Sequence, residues 1–372
     1  MVNNLPQTQR CAVIPGDGVG GEVVDSALAV LARLGELDPT LAIETESFPW
    51  GSDYHAEHGA MMPADALDVL DRFDAIFFGA VGWPTVADDV TLWGLRLAIV
   101  QGFDQCVNVR PITLLPGTAG PLAGRGAAEI DFVVVRENSE GEYSGAGGRS
   151  HRGLESELAV QTSIFSRRAI DRVARYALDL AASRPASHLT SVTKSNASQY
   201  ASVLWDEVVA AAAAERPEVA FDSVLVDAAA AHLVLDPGRF DVLVASNLHA
   251  DILSDLTAAL AGSLGVAASG NYHLDGDHPS MFEPVHGSAP DIAGKGIANP
   301  VAALFCLAMM LEHLGHEGAG ATVRAAVEET CAAGILTPDL GGEAGTAEVT
   351  AAVIEAVARL HSPAPTTNKE QQ

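Results

Sequence analysis

The sequence contains very little lysine, and its charge is strongly one-sided. Lysine occurs only at positions 194, 295 and 369, and all other basic residues are arginine. The 21 basic residues face 48 acidic ones, which gives a formal net charge of −27. Binding to nucleic-acid phosphates needs a basic surface, so this composition argues against a nucleic-acid partner. A lysine inside the fold is therefore a candidate functional residue.

Long apolar runs and paired cysteine motifs are also missing. No segment approaches the roughly 20 apolar residues of a membrane helix. The first residues, MVNNLPQTQR, lack the apolar core of a signal peptide. These absences predict a cytoplasmic protein with no membrane partner. The four cysteines show neither CxxC nor metal-ligand spacing, so no disulfide is predicted.

Alternating apolar and amphipathic segments indicate an α/β fold with a largely parallel sheet. Strands are predicted at 10–15, 41–47, 74–79, 131–135 and 241–245, and helices at 22–35, 63–72 and 299–314. The polar tail from residue 362 is predicted to be disordered. Chemistry in open α/β sheets gathers beyond the carboxyl ends of the strands. Polar residues that directly follow a strand are therefore the first candidates for a site.

Two aspartates follow the strand at 241–245. If that segment is helical, Asp251 and Asp255 lie at positions i and i+4, on one face, where their charges repel. A hard divalent cation such as Mg²⁺ or Mn²⁺ would remove this repulsion, because it prefers carboxylate oxygens. The alternative is a solvated acidic face. Asp227, after the strand-like residues 223–226, is a third candidate ligand, or alternatively a helix cap.

Seven sequence blocks together resemble the β-decarboxylating dehydrogenase family, which includes isopropylmalate, isocitrate, D-malate and tartrate dehydrogenases. The blocks occur in family order and span nearly the whole chain. LWG, GFDQ, SEGEYSG and TKSN are most similar to the tartrate and D-malate members. The blocks are IPGDGVGGEV (14–23), NVRP (108–111), VRENSEGEYSG (135–145), TKSN (193–196), VDAAAAHLV (226–234), NLHADILSDL (247–256) and EPVHGSAPDIAGKGIANP (283–300).

The resemblance implies an isopropylmalate dehydrogenase-like two-domain α/β fold, not a Rossmann fold, with the active site in the interdomain cleft. Residues 1–105 and 262–372 would form a discontinuous NAD-binding domain. Residues 106–261 would form the central domain, with the dimer interface. The implied assembly is a homodimer with shared sites, in which Asp251 and Asp255 of one subunit bind the metal together with Asp227 of the other.

The implied reaction is oxidation of the C2 alcohol of a small 2-hydroxy dicarboxylic acid, with NAD as acceptor and with possible loss of a β-carboxylate as CO2. Mn²⁺ or Mg²⁺ would polarise the substrate oxygens, and the resemblance also suggests a K⁺ requirement. Lys194 matches the lysine that assists deprotonation of the C2 hydroxyl across the dimer. Tyr143 matches the tyrosine that protonates the enolate carbon, and Asp227 completes the catalytic set.

Arginines match the family's substrate-binding positions, with one departure. Arg110 and Arg136 correspond to arginines that bind the substrate carboxylates, for which their planar forks are suited. Relatives usually carry another arginine ten residues before the first of these, where this chain has Val100. Arg96 lies one helical turn earlier. We hypothesise that Arg96 takes over recognition and favours a short polar acid over isopropylmalate.

The resemblance places the cofactor on the loop at 286–299. Gly287 permits close backbone approach. Asp291 matches the acid that binds the adenosine ribose hydroxyls, so NAD is favoured over NADP. The glycines at 16–20 do not have the Rossmann spacing. The complete set of expected cofactor residues is Asn196, Glu283, His286, Gly287, Ser288, Ala289, Asp291, Ile292 and Asn299.

Two alternatives remain at this point. The first is 3-isopropylmalate dehydrogenase, which needs an apolar pocket for the isopropyl group; Arg96 argues against such a pocket. The second, of a different class, is a non-catalytic regulatory subunit that keeps the fold and has lost the chemistry. The presence of Tyr143, Lys194 and the three aspartates argues against this second alternative.

Overall fold

The computed structural model describes residues 8–361. A π-helical turn, Leu92–Arg96, connects the helices that span Asp88–Thr91 and Leu97–Gly102. The strands are β1 (Gln9–Gly16), β2 (Ile43–Ser47), β3 (Ala75–Ala80), β4 (Val107–Thr113), β5 (Asp131–Glu137), β6 (Gly147–Ser150), β7 (Leu158–Gln161), β8 (His188–Thr193), β9 (Ala220–Leu225), β10 (Val242–Ala245), β11 (Ala268–Tyr272) and β12 (Ser280–Pro284). The helices are α1 (Gly20–Leu37), α2 (Ser52–His58), α3 (Ala66–Leu70), α4 (Asp88–Thr91), α5 (Leu97–Gly102), α6 (Arg167–Ser183), α7 (Ala201–Ala214), α8 (Val226–Leu235), α9 (Asn247–Leu260), α10 (Val301–His313), α11 (Glu317–Ala332) and α12 (Thr346–His361).

One large sheet organises the described residues. Its strand order is β2-β1-β3-β12-β11-β4-β5-β10-β8-β9. We call β2 to β11 the first half and β4 to β9 the second half. The outer strands of each half pair in parallel, whereas β12, β11, β4 and β5 pair antiparallel in the middle. The halves therefore join at the β11–β4 pair, where Asn271 lies opposite Asn108.

Both faces of β1 and β3 are buried, whereas the edge strand β2 is mostly exposed. Successive side chains of a strand point to opposite faces. Along β1, Cys11 and Val13 enter the large apolar core with α1 and α10, while Ala12 and Ile14 enter a second cluster with Trp50. Burial on both faces explains why the strand residues form continuous apolar runs without alternation.

The predicted α/β class is confirmed, and each predicted strand overlaps an observed strand. Residues 41, 42, 74 and 241 were predicted as strand but lie just before β2, β3 and β10. The helix expected at 63–72 is shorter, because Pro63 sits in a turn that precedes α3, in which the Ala66 amide donates to the Pro63 carbonyl. No helix in the described range is long and apolar enough to span a bilayer. The tail predicted to be disordered lies outside the described residues.

Candidate active site

A cleft of about 760 Å³ lies at the junction between the two halves of the sheet. The end of β3 and the end of β12 form one wall, and β4, β5 and α9 form the other. This position agrees with the expectation that polar groups gather beyond the strand ends. The side chains in the cleft that carry charge or a phenol are Arg96, Arg110, Arg136, Tyr143, Asp251, Asp255 and Glu283.

The two predicted metal aspartates both line this cleft. Helix α9 begins directly after Ser246, which follows β10. Asp251 and Asp255 both belong to this helix and lie one turn apart. Burial alone would raise the pKa of Asp251. The charges of Arg136, Arg110 and Arg96 and the hydrogen bond from Tyr143 lower it, and the pKa lies below its ordinary value. Burial raises the pKa of Asp255. The pair therefore offers carboxylate oxygens as donors. The charges around Asp251 outweigh the effect of burial on its pKa, whereas those around Asp255 do not.

Adjacent antiparallel strands carry Arg110 and Arg136, and both side chains are buried. Arg136 donates from Nε and Nη2 to Asn247 Oδ1, and its Nη1 pairs with Asp251. Arg110 donates to Ser254 Oγ over 2.5 Å, and its Nη2 lies 3.6 Å from Asp251. Burial lowers the pKa of Arg110 to about 9, which still leaves the group cationic near neutral pH. Helix α9 thus fixes both guanidinium groups at the cleft.

Arg96 is the third arginine of the cleft. It ends the π-helical turn, a feature often found at functional sites. Its Nη2 lies 2.7 Å from Glu283 Oε1, and its Nε donates to both carboxylate oxygens. Burial alone would lower the pKa of Arg96, but Glu283 raises it. Val100, where a family arginine was expected, is buried in the second apolar cluster. Arg96, with its longer side chain, is therefore the arginine that reaches the cleft from this helical segment.

Tyr143 lies on the loop after β5 and reaches into the same cleft. Its hydroxyl donates to Asp251 Oδ2 over 3.0 Å, and the Arg136 guanidinium lies 5.2 Å from its ring centre. Burial and the Asp251 charge raise the pKa of Tyr143. Gln101 Nε2 donates to the Tyr143 carbonyl over 3.0 Å and so connects this loop to α5. The phenol is thus held next to the carboxylate pair in its protonated form.

Three of the predicted site residues between 106 and 261 do not line the cleft. Lys194, after β8, forms an ion pair with Asp227 in the first turn of α8, and the Asp227 side chain is 64% exposed. Asn196 is exposed in the turn after Lys194. Between residues 8 and 361, no three acidic, histidine or cysteine side chains come together as a metal-binding group. In one copy of the chain, two of the three predicted metal ligands, Asp251 and Asp255, therefore line the cleft. The third, Asp227, lies elsewhere on the surface.

The donor chemistry of the pair fits a hard divalent cation. Both side chains are carboxylates, no sulfur lines the cleft, and the one imidazole that lines it, His286, lies on the loop after β12. Such a cation would be held by Asp251 and Asp255 in one chain. The remaining coordination positions would face open cleft, which a catalytic metal requires for its substrate. The residues present therefore fit Mg²⁺ or Mn²⁺.

A second cavity adjoins the cleft through His286 and Gly287. It is mostly apolar, and its walls come from the predicted cofactor loop and from α1. The other predicted cofactor residues of this region lie in different places. Ala289, Ile292 and Asn299 line this cavity, Glu283 lies in the cleft, Ser288 is buried in the loop, and Asp291 is exposed without lining either space. Asp339, which the sequence reading missed, lines the cavity and accepts from Asn299 Nδ2.

The glycine-rich segment after β1 supports the cofactor loop. Gly18 has φ +58°, and a Cβ there would lie 2.0 Å from the Ser288 carbonyl oxygen. The Val19 amide donates to that same oxygen over 2.9 Å. Asp17 accepts from the Ser52 amide and from the Gly82 amide. The glycine pattern therefore allows close packing between two loops, and Gly18 tolerates no side chain.

Buried amides connect the arginines, and the sequence reading also missed them. Asn108 Nδ2 and Asn138 Nδ2 both donate to Asn271 Oδ1 over 2.9 Å. Asn271 in turn donates to Glu283 Oε1 over 2.8 Å. Asn108 lies inside the NVRP block and Asn138 inside the VRENSEGEYSG block. This position within a block is the only feature of the sequence that could have pointed to these two residues. Asn271 lies in no block.

Comparisons with known proteins identify the family of the chain. The model of the isocitrate/isopropylmalate dehydrogenase family matches residues 10–357. A probable tartrate dehydrogenase/decarboxylase of Agrobacterium vitis is 56% identical over 94% of this chain and 98% of its own. A D-malate dehydrogenase (decarboxylating) of Escherichia coli is 49% identical over 95% and 100%. The crystal structure of an isocitrate dehydrogenase from Methylococcus capsulatus superposes with a TM-score of 0.84 at 35% identity, covering 94% and 99%. The chain belongs to the isocitrate/isopropylmalate dehydrogenase family.

Proposed function

We propose that this enzyme oxidises a small 2-hydroxy dicarboxylic acid of the tartrate or D-malate class, with NAD as acceptor and Mg²⁺ or Mn²⁺ bound. The observation that carries the proposal is a cleft that brings three arginines together with a carboxylate pair one helical turn apart. Relatives named tartrate dehydrogenase/decarboxylase and D-malate dehydrogenase support the substrate class. Decarboxylation after oxidation is part of the proposal.

The charges of the cleft favour a dianion only when a divalent cation is present. Its three arginines are balanced by Asp251, Asp255 and Glu283, so the protein groups of one chain cancel. The Lys194–Asp227 pair, supplied by a second subunit, would also cancel. A divalent cation then leaves the site with two positive charges, which matches a dicarboxylate. This local charge balance answers how a strongly acidic protein would bind an anionic substrate.

The protein groups have distinct roles in this mechanism. Arg110 and Arg136 bind and orient the substrate carboxylates through bidentate contacts. Lys194 of the second subunit removes the C2 hydroxyl proton. Tyr143, next to the acid pair, delivers a proton to the carbon that loses the carboxylate. Asp251 and Asp255 would hold a divalent cation, which would supply Lewis acidity for the substrate oxygens, and the loop at 286–299 would hold NAD, which would supply the hydride acceptor.

The assembly we propose is a homodimer with shared active sites and with the domain division at 1–105 and 262–372 against 106–261. Large apolar side chains are exposed on the β6–β7 hairpin and on the helices of the second half. Exposed apolar side chains are typical of association sites where they lie next to one another. They include Leu154, Leu158, Val160, Tyr200, Leu235 and Ile252. A cytoplasmic location belongs to the same proposal.

The cleft gives less support to the two alternatives. The Arg96–Glu283 pair places charge where 3-isopropylmalate would need an apolar surface. A non-catalytic regulatory subunit would not need the acid pair, Tyr143 and Lys194, and all of these are present. The charge balance of the cleft fits any of these dicarboxylates, so the Arg96–Glu283 pair is the feature that separates them.

Turnover of a substrate panel tests the proposed function. NADH formation should be followed with Mn²⁺ and NAD against D-malate, L-tartrate, meso-tartrate and 3-isopropylmalate. We expect activity with D-malate or a tartrate, loss of activity with EDTA, and much weaker activity with NADP. Absence of turnover with every acid, in protein that binds NAD and Mn²⁺, would contradict the enzyme assignment.

Arg96 should determine which acid is preferred. Arg96→Leu removes a cation from the cleft and leaves Glu283 as a nearly buried carboxylate without its bidentate partner. We expect kcat/KM for D-malate or tartrate to fall by about 100-fold, and that for 3-isopropylmalate to fall by less than tenfold. Arg33→Leu, which removes an exposed ion pair on α1, is the matched control. Equal losses for both acids would count against a role of Arg96 in selectivity.

A further inference from the structure

A continuous chain of buried hydrogen bonds connects Arg110 to Glu283. Arg110 Nε donates to Asn108 Oδ1 over 2.8 Å, and Asn108 Nδ2 donates to Asn271 Oδ1 over 2.9 Å. Asn271 Nδ2 then donates to Glu283 Oε1 over 2.8 Å, and Glu283 pairs with Arg96. Both asparagines are fully buried. The chain therefore runs from one substrate-side arginine to the other inside the protein.

The chemistry of its ends fixes the direction of every bond in this chain. An arginine can only donate, and an ionised carboxylate can only accept. Each amide between them must therefore present its oxygen toward Arg110 and its nitrogen toward Glu283. Among side chains of this size, only an amide both accepts and donates in this way. Buried charge-assisted bonds of this kind are strong, and an unmatched member is costly.

The chain also crosses the junction between the halves of the sheet. Asn108 lies on β4 of the second half, and Asn271 lies opposite it on β11 of the first half. Arg96 and Glu283 belong to the first half, whereas Arg110 belongs to the second. Asn108 and Asn271 therefore bond to each other across the junction, and Asn271 also bonds directly to Glu283, the partner of Arg96.

We propose that Asn271 is a positioning residue for the substrate arginines. It holds Glu283, and through it Arg96, in a fixed relation to Asn108 and Arg110 across the β11–β4 junction. This inference rests on the proposed function, because it assumes that both arginines bind the substrate acid. Asn271 lies behind the cleft and acts on the substrate only through these neighbours.

Asn271→Ala tests the proposal against a matched loss in the same buried cluster. Asn138→Ala also removes a buried amide that bonds to Asn271 Oδ1, but Asn138 contacts neither arginine nor Glu283. We expect Asn271→Ala to raise KM for D-malate or tartrate by about tenfold, the effect of losing one hydrogen bond to a charged group, with kcat lowered less than threefold. Asn138→Ala should lower Tm similarly and leave KM within about twofold.

A second variant and two crystal structures complete the test. If Asn271→Ala does not fold, Asn108→Ala breaks the same chain at its other end and should raise KM equally. Crystal structures of the unliganded wild type and variant show whether Arg96 and Arg110 move, even if the wild type oxidises no acid in the panel. Unmoved arginines, an unchanged KM, or an equal rise in KM for Asn138→Ala would each overturn the inference.

Discussion

Asp251→Asn is expected to lower kcat/KM for the hydroxy acid by at least about 10³-fold. The substitution removes one of the two carboxylates that would hold the cation, whose transition-state stabilisation amounts to several kcal/mol. Each 1.36 kcal/mol corresponds to a tenfold change in rate, so a loss of about 4 kcal/mol gives this factor. The new amide also gives Arg136 and Arg110 no counter-charge, and Tyr143 loses the carboxylate that accepts its hydroxyl.

Mn²⁺ binding measured by calorimetry separates loss of the metal from loss of the fold. We expect Mn²⁺ affinity to fall by at least about 100-fold in Asp251→Asn, while NAD still binds. Asp25→Asn, an equivalent change at an exposed position of α1, is the control and should change neither quantity. Unchanged Mn²⁺ affinity in Asp251→Asn would show that the carboxylate pair is not the metal site.

Much of this site could be predicted from local patterns. The spacing of Asp251 and Asp255 after a strand depends only on helical periodicity, and the structure places both at the cleft. The resemblance added Arg110, Arg136 and Tyr143, which lie in the same cleft although they are far apart in sequence. Family blocks carry such information because each block keeps its place in the fold.

Other parts depend on tertiary packing and could not be predicted. Arg96 was inferred from helical spacing, but its pairing with Glu283 depends on the position of β12 beside β3. Asn271 is an ordinary strand residue in sequence, and its role follows from the β11–β4 register. Asp291 was expected to bind the adenosine ribose, yet it lines neither cavity, whereas Asp339 does. The assignment of Asp291 therefore remains a prediction.

A heterodimer of two nearly inactive variants is expected to recover about half of the wild-type activity. Lys194 and Asp227 pair on the surface of the chain, away from the cleft that Asp251 lines. If each site takes Asp251 from one subunit and Lys194 from the other, a dimer of Asp251→Asn with Lys194→Ala has one doubly defective site and one intact site. Each homodimeric variant should lose at least about 100-fold in kcat. Two different affinity tags allow the heterodimer to be isolated for the assay.

The pairing of Asp251→Asn with Tyr143→Phe provides the matched control. Tyr143 donates to Asp251 within the same chain, so these two residues belong to the same half of each site. Every site of this second heterodimer carries one defect, and its activity should stay as low as that of its parents. Recovery in the first heterodimer but not in the second requires sites that are shared between subunits. If the first heterodimer also stays inactive, Lys194 acts within its own chain, and the exposed Lys194–Asp227 pair needs another explanation.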